Sequence, residues 1–187
     1  MKKILISIRP QWCEKIASGK KTIEVRKSAP KEVPFKAYIY CSYGNDKENY
    51  MLGRRGKVIG EFVCDKIDEI VPDYNPAAEK FFYGYIVDTT PTCLSEEEMQ
   101  NYGKNKPLWF WHISDLKIYD KPKELSDFTS PRVCINYIDL PAYGHIGCNM
   151  CKYSYTINCM IKCRINGREP LTRPPQSYML VEELKEV

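Results

Sequence analysis

The stretch ILISIRPQWCEKIASGKKTIEVRK, residues 4–27, predicts a strand, a helix and a second strand in close succession. Residues 3–8 alternate weakly between polar and apolar positions, which favours a first strand. Pro10 suits the first turn of a helix, and Gly19 suits the position just after a helix ends. Between them, apolar side chains recur at helical spacing. We therefore expect a short helix that leads directly into a charged strand at residues 21–26.

The charged strand has two chemically different faces. Because side chains alternate along a strand, one face is expected to hold Lys21, Ile23 and Val25, and the other Thr22, Glu24 and Arg26. The apolar pair should face the core, with Lys21 at the solvated entrance of the strand. Glu24 and Arg26 can form a solvated ion pair, or they can present an acceptor and a bidentate donor to a ligand.

Further strands are predicted along the chain. They cover residues 36–41, 57–67 with a bulge or bend at Gly60, and 107–119 as one strand or a pair, and a closing strand covers residues 176–183. A second helix is expected at residues 94–103, with a capping box from Ser95 to Glu98 and its end at Gly103. Short strands dominate, so the 187 residues predict a single α+β domain, 1–187, built on a small, mostly antiparallel β-barrel with flanking short helices.

Charge is distributed unevenly. Residues 1–40 hold ten Lys or Arg and three acidic residues, whereas residues 65–101 hold two and nine. Residues 144–175 are basic again, with five Lys or Arg and one acidic residue. Basic patches attract phosphate backbones, although lysines also simply solvate surfaces. No apolar run is long enough for a membrane helix, and the apolar run at residues 4–8 is too short for a signal peptide, so we expect a cytoplasmic protein without a membrane partner.

Four residues of the opening stretch carry a resemblance. Gly19, Lys21, Glu24 and Arg26 spell G-x-K-x-x-E-x-R, which resembles the signature of the ASCH domain family. Three segments are similar to the strands and helix of that family, namely residues 4–27, 56–70 and 107–128. The resemblance covers residues 3–128 and implies a PUA-like β-barrel.

The resemblance also implies a binding cleft beside the first helix, lined by the motif and suited to RNA or a nucleotide-like ligand. Lys21 and Arg26 could contact phosphate, and Glu24 could accept from a base or a sugar hydroxyl. Arg9 and Lys20 would extend the basic rim. The nearby aromatic residues could offer stacking faces, although most are expected in the core: Trp12, Tyr38, Tyr40, Trp109 and Trp111. In the run from Trp109 to Trp111, at least one ring should be exposed or lie under a loop.

Enzymatic alternatives use the same cleft. A metal-free ribonuclease needs a base, a proton donor and cations, and Lys21, Glu24, Arg26 and Tyr40 could fill these roles. ASCH relatives that hydrolyse acetylated cytidine have a threonine nucleophile where this chain has Glu24, and Thr22 could replace it only if the strand register shifted. His112 is expected to be structural. A protein-interaction module, in which charge serves only solubility, is the third alternative.

A cysteine cluster follows the region of resemblance, at residues 144–168. Cys148 and Cys151 form one closely spaced pair, and Cys159 and Cys163 form another. Four thiolates in two pairs match the ligand set of a structural zinc site, with His145 as an alternative ligand. We therefore predict a zinc-binding insertion that displays basic residues. Free thiols or buried small side chains are the alternative.

Overall fold

The computed structural model describes residues 1–44, 50–83, 88–130 and 171–183. Within these residues the chain forms short strands and two α-helices. The helices are α1 (Pro10–Ala17) and α2 (Glu96–Gly103). The strands are β1 (Lys2–Ile8), β2 (Ile23–Arg26), β3 (Phe35–Cys41), β4 (Val58–Cys64), β5 (Ile67–Ile70), β6 (Asp73–Asn75), β7 (Lys80–Phe82), β8 (Leu108–His112), β9 (Ser114–Lys123), β10 (Phe128–Thr129), β11 (Tyr178–Leu180) and β12 (Glu182–Glu183). Neither helix has the length and apolar character that crossing a membrane requires.

The strands pair into two main sheets. The larger has the order β11-β1-β3-β4-β9, and the smaller has the order β2-β8-β5. The strand pairs are antiparallel apart from β1 with β3, which are parallel. The predicted mostly antiparallel α+β fold with two short helices is confirmed. In the described residues, however, strand pairing does not close the sheets into one barrel. The strand β2, which follows α1, pairs with β8 and not with β1.

The main core lies between the two sheets. It joins apolar side chains of β1 and β3 to Cys13 and Ile16 of α1 and to Trp111 of β8. A second cluster packs the apolar side chains of β2 and β8 against Met99 of α2 and against Tyr83, which follows β7. A third cluster covers the opposite face of the larger sheet. It surrounds Tyr38 of β3 and includes apolar side chains of β1, β4 and β10. α1 is thus held against the larger sheet, close to the strand that bears the charged motif.

Two glycines explain local features of this fold. Gly60 lies where the pairing of β4 with β3 and β9 changes register, so the predicted bulge is confirmed. A Cβ atom there would lie 2.5 Å from the Lys117 carbonyl oxygen, which shows how closely the backbone of β9 approaches. At the end of α2, Lys104 and not Gly103 takes the left-handed conformation, with φ of 52°. Gly103 instead makes room for the ring of Tyr83.

Local sequence signals place the helix ends. Gly19 has a φ of 73° directly after α1, as the sequence predicts. The capping box of α2 is formed, since the Ser95 hydroxyl accepts from the Glu98 amide and the Glu98 carboxylate accepts from the Ser95 amide. The predicted strand region 107–119 becomes two strands in different sheets, β8 and β9.

Candidate functional site

The charged motif of β2 is buried. Lys21, Glu24 and Arg26 are 2%, 6% and 7% exposed. The alternative of a solvated ion pair is therefore excluded for Glu24 and Arg26, and the expected position of Lys21 at a wet strand entrance is wrong. β2 begins only at Ile23, so strand alternation does not govern Lys21, whose side chain turns into the protein.

Glu24 joins the three side chains into one network, which we call the motif network. Its Oε1 lies 3.1 Å from Arg26 Nε, and its Oε2 lies 3.5 Å from Lys21 Nζ. Two cations therefore share one carboxylate, so the charged network carries one positive charge in excess. A buried charge without a counterion is expensive, and an anion nearby would stabilise it.

Backbone carbonyl groups hold both cations in place. Lys21 Nζ donates to the Thr92 carbonyl oxygen at 2.6 Å, and Arg26 Nη2 donates to the Ser7 carbonyl oxygen at 2.5 Å. Arg26 Nε is buried and finds no aligned hydrogen-bond acceptor among the described residues. The motif network thus connects the end of β1 to the 3-10 turn Thr90–Thr92, and it is rigidly placed although not fully satisfied.

The helix α1 adds further positive potential beside this network. Arg9 is its N-cap residue, no side chain caps its amide groups, and its first turn contains no acidic residue. The positive end of the helix dipole is therefore not offset by local carboxylates. Trp12 lies along the helix between two cations, 4.7 Å from Lys15 Nζ and 5.3 Å from Lys21 Nζ, measured to a ring centroid.

The predicted rim residues lie at opposite ends of α1. Arg9 precedes the helix and Lys20 follows it, and both are exposed. Eight helical residues rise about 12 Å, so these two cations cannot serve one phosphate. They instead lie at the two ends of the helix that flanks the motif network.

The candidate hydrolase residues are only partly brought together. Tyr40 belongs to the cluster on the far face of the larger sheet, whereas the motif network adjoins the main core. The alternation of β3 explains this separation, since Ile39 and Cys41 point to the main core and Tyr40 points away. Thr22 is exposed and precedes β2, and the register pairs Glu24 with Trp111. Tyr40 therefore lies apart from the motif carboxylate, and Thr22 lies on the exposed surface whereas Glu24 is buried.

The predicted stacking aromatics divide as expected between core and surface. Tyr38, Tyr40 and Trp111 are buried. Trp12 and Trp109 are half-buried, and Trp109 is thus the ring of its run that reaches the surface. These two indoles are the members of the predicted set that solvent reaches in part.

Burial shifts the pKa values of groups around the network. Burial lowers the pKa of Lys21, and attraction to Glu24 opposes that change. Burial raises the pKa of Tyr102, while the adjacent Arg26 opposes the change. The pKa of the Cys13 thiol is raised well above its ordinary value by burial and by a hydrogen bond with Cys41. An anionic ligand would reverse the effect of burial on Lys21, since a nearby negative charge favours the ammonium form.

Sequence reasoning missed three partners of the motif. The carbonyl groups of Ser7 and Thr92 could not be identified, because any residue supplies a carbonyl group. Tyr102 lies far away in the chain and reaches Arg26 only through the packing of α2. The contact between Trp12 and Lys15 could have been predicted from the sequence, because residues three apart on a helix are neighbours.

The structural role predicted for His112 has a physical basis in the structure. His112 Nε2 lies 2.7 Å from Asp68 Oδ2, and Lys66 Nζ lies 3.0 Å from the same oxygen. Burial favours the neutral form of Asp68, but the hydrogen bonds from His112 and Lys66 prevail and lower its pKa. This ion cluster links the ends of β5 and β8, which agrees with the structural role predicted for His112.

The predicted zinc ligands, Cys148, Cys151, Cys159 and Cys163, and the alternative ligand His145 lie outside the described residues. In the described part of the chain, no group of three or more His, Cys, Asp or Glu side chains is placed to hold a metal ion. The four cysteines described there are not joined in disulfides: Cys13, Cys41, Cys64 and Cys93. Zinc binding therefore stays a prediction.

Comparison with solved structures defines the fold. An ASCH protein from Zymomonas mobilis aligns with 99% of this chain and 89% of its own length, with a TM-score of 0.51 and 19% identity. A tyrosine-to-phenylalanine variant of that protein aligns with 100% of this chain and 92% of its own length, with the same TM-score and identity. This chain has the ASCH fold. The sequence resemblance is thus confirmed at the level of fold, and no protein-family model or curated protein matches the chain.

Proposed function

We propose that this ASCH-fold chain binds RNA or a nucleotide-like ligand, with phosphate beside α1 and the motif network. One observation carries the proposal: two buried cations, Lys21 and Arg26, share the single carboxylate of Glu24. The excess positive charge lies in a site with little water. A phosphate group nearby would offset that charge, whereas a neutral ligand would leave it uncompensated.

The motif residues have a different role from the one first expected. Because Lys21 and Arg26 are buried and held by backbone carbonyl groups, they supply positive potential and rigidity. Direct phosphate contacts fall to the exposed cations at the ends of α1, Arg9 and Lys20.

Trp12 supports an RNA ligand over an isolated phosphate. Its half-buried indole lies beside Lys15 and Lys21, so an unpaired base could stack next to cations that attract its backbone. A stacked base and a bound phosphate together describe a single-stranded nucleotide segment.

The experiment is fluorescence anisotropy of a labelled ten-nucleotide single-stranded RNA at several salt concentrations. Binding should weaken as salt rises, because each phosphate contact contributes about 0.7 to the slope of log affinity against log salt. Arg9→Ala and Lys20→Ala should each reduce that slope by about 0.7. Trp12→Ala should weaken binding with little change in the slope, since stacking releases no counterions.

Lys80→Ala is the matched control, because Lys80 is an exposed cation on the β6–β7 hairpin, away from α1. Its slope and affinity should equal those of the wild type. Weak binding that does not depend on salt would contradict the proposal and favour a protein-interaction module. Equal losses in Lys80→Ala and Lys20→Ala would show that the RNA follows overall charge and not this site.

A further inference from the structure

A groove lies next to the motif network, between the segment 29–33 and the strands β5 and β8. Its volume is about 240 Å³. That is smaller than the roughly 300–1,000 Å³ of pockets that hold drug-sized ligands, so it suits a single ring system. Its lining residues are Ala29, Pro30, Lys31, Val33, Ile67, Glu69 and Trp109.

Strand register connects this groove to the motif network. Trp109 of β8 pairs with Arg26 on one side and with Glu69 on the other. Residues directly opposite in antiparallel strands share a face of the sheet, and neighbouring strands are about 4.8 Å apart. Trp109 therefore lies between Arg26 and Glu69 on one face of the smaller sheet, and the groove begins one strand away from the motif network.

The groove walls favour a flat, apolar ring. Trp109 supplies a half-buried indole, and Ile67, Ala29 and Val33 supply aliphatic surface. Bases of single-stranded RNA stack on aromatic side chains in such settings.

The polar groups at the edge of the groove favour some nucleobases over others. Glu69 and Lys31 are exposed, and within the described part of the chain neither side chain forms an ion pair or hydrogen bond. A free carboxylate accepts two hydrogen bonds from adjacent donors. Guanine presents two such donors, N1–H and the 2-amino group, side by side. Adenine and cytosine present a single amino group at that edge, and the single imino donor of uracil lies between two carbonyl groups that a carboxylate repels.

We propose that this groove binds a guanine base of the RNA, stacked on Trp109, with Glu69 accepting from N1–H and the 2-amino group. The inference rests on the proposed function, and it adds a base preference to it. The cations at the ends of α1 contact the phosphate backbone in the positive potential of the motif network, and the groove reads one base.

The test compares two ten-nucleotide RNAs that differ only by guanosine or inosine at one position, in the anisotropy assay. Inosine lacks the 2-amino group and leaves the rest of the base unchanged. The wild type should bind the guanosine RNA about tenfold more tightly, as expected for a bidentate contact. Glu69→Gln should reduce that ratio to near one, and its exposed position should leave folding intact. Glu97→Gln, an exposed carboxylate on α2, should keep the wild-type ratio.

Each outcome separates the two proposals. If the wild type binds guanosine and inosine RNAs equally while Lys20→Ala still weakens both, the guanine site is wrong and the proposed function stands. A ratio that survives in Glu69→Gln contradicts the role of that carboxylate. If neither RNA binds the wild type at low salt, both proposals are wrong.

Discussion

Glu24 lies between Lys21 and Arg26, and its two oxygens face the two cations. The identities of these residues are visible in the sequence, but their burial is not. Alternation predicts faces only inside a strand, and Lys21 lies before β2, where the chain turns. The ammonium group is buried because the Thr92 carbonyl and Glu24 replace the water it loses. No local pattern could show the position of a carbonyl group that lies 71 residues away.

Glu24→Gln should destabilise the fold strongly, because it leaves two buried cations without a carboxylate. We expect the free energy of unfolding to fall by about 3–5 kcal/mol, measured by urea denaturation. Glu14→Gln, at an exposed position on α1, is the control and should change it little. A loss below about 1 kcal/mol would show that the carboxylate does not balance these charges.

Lys21 should give stability a distinctive pH dependence. Burial lowers its pKa in the folded state below the ordinary value of 10.5. Between the lowered pKa and 10.5 the unfolded state binds more protons, so this group's contribution to the free energy of unfolding rises with pH there. The free energy of unfolding of the wild type minus that of Lys21→Met should therefore increase with pH over this interval. A difference that stays constant or falls would contradict the burial of a titrating ammonium.

At the scale of elements, local signals succeed where their cause is local. The capping box at Ser95 and the left-handed Gly19 follow from the backbone itself, and both are observed. Gly103 shows the limit, since its position is required by the distant ring of Tyr83 and not by the helix end. The sequence predicts neither β6 nor β7, because these strands are three residues each and, among the described residues, pair with each other.

Gly60→Ala should disrupt the contact between β4 and β9. The new Cβ atom would lie 2.5 Å from the backbone carbonyl of Lys117, which no side-chain movement relieves. We expect a destabilisation of about 1–3 kcal/mol by urea denaturation. Gly53→Ala is the control, because it meets no atom within 4 Å and carries only the conformational penalty of its φ of 73°, about 1 kcal/mol. A smaller effect at Gly60 than at Gly53 would show that the bulge adapts.

For the molecule as a whole, the sequence predicts which types of helix and strand the fold contains better than whether the sheets close into a barrel. The resemblance of residues 4–27 leads to the ASCH fold, and the mostly antiparallel strands follow. The arrangement into two sheets depends on which strand β2 chooses as its partner, and that choice is made by long-range packing around Trp111.

The cysteine cluster gives a prediction for the complete chain. Elemental analysis of purified, dialysed protein should find about one zinc ion per chain, since four thiolates at this spacing match a structural site. Cys148→Ser should reduce the zinc content, whereas Cys93→Ser, which changes a thiol far from the cluster in sequence, should not. Less than about half an equivalent in the wild type would contradict zinc binding.

The positive potential of the motif network and α1 should select the place where RNA binds. The most direct measurement is the change in backbone amide NMR shifts of the isotope-labelled protein when a single-stranded RNA is added. We expect the largest changes at Arg9, at residues 11–13 of α1, at Lys20 and along β2. Changes confined to the β6–β7 hairpin, or spread evenly over all exposed lysines, would contradict it.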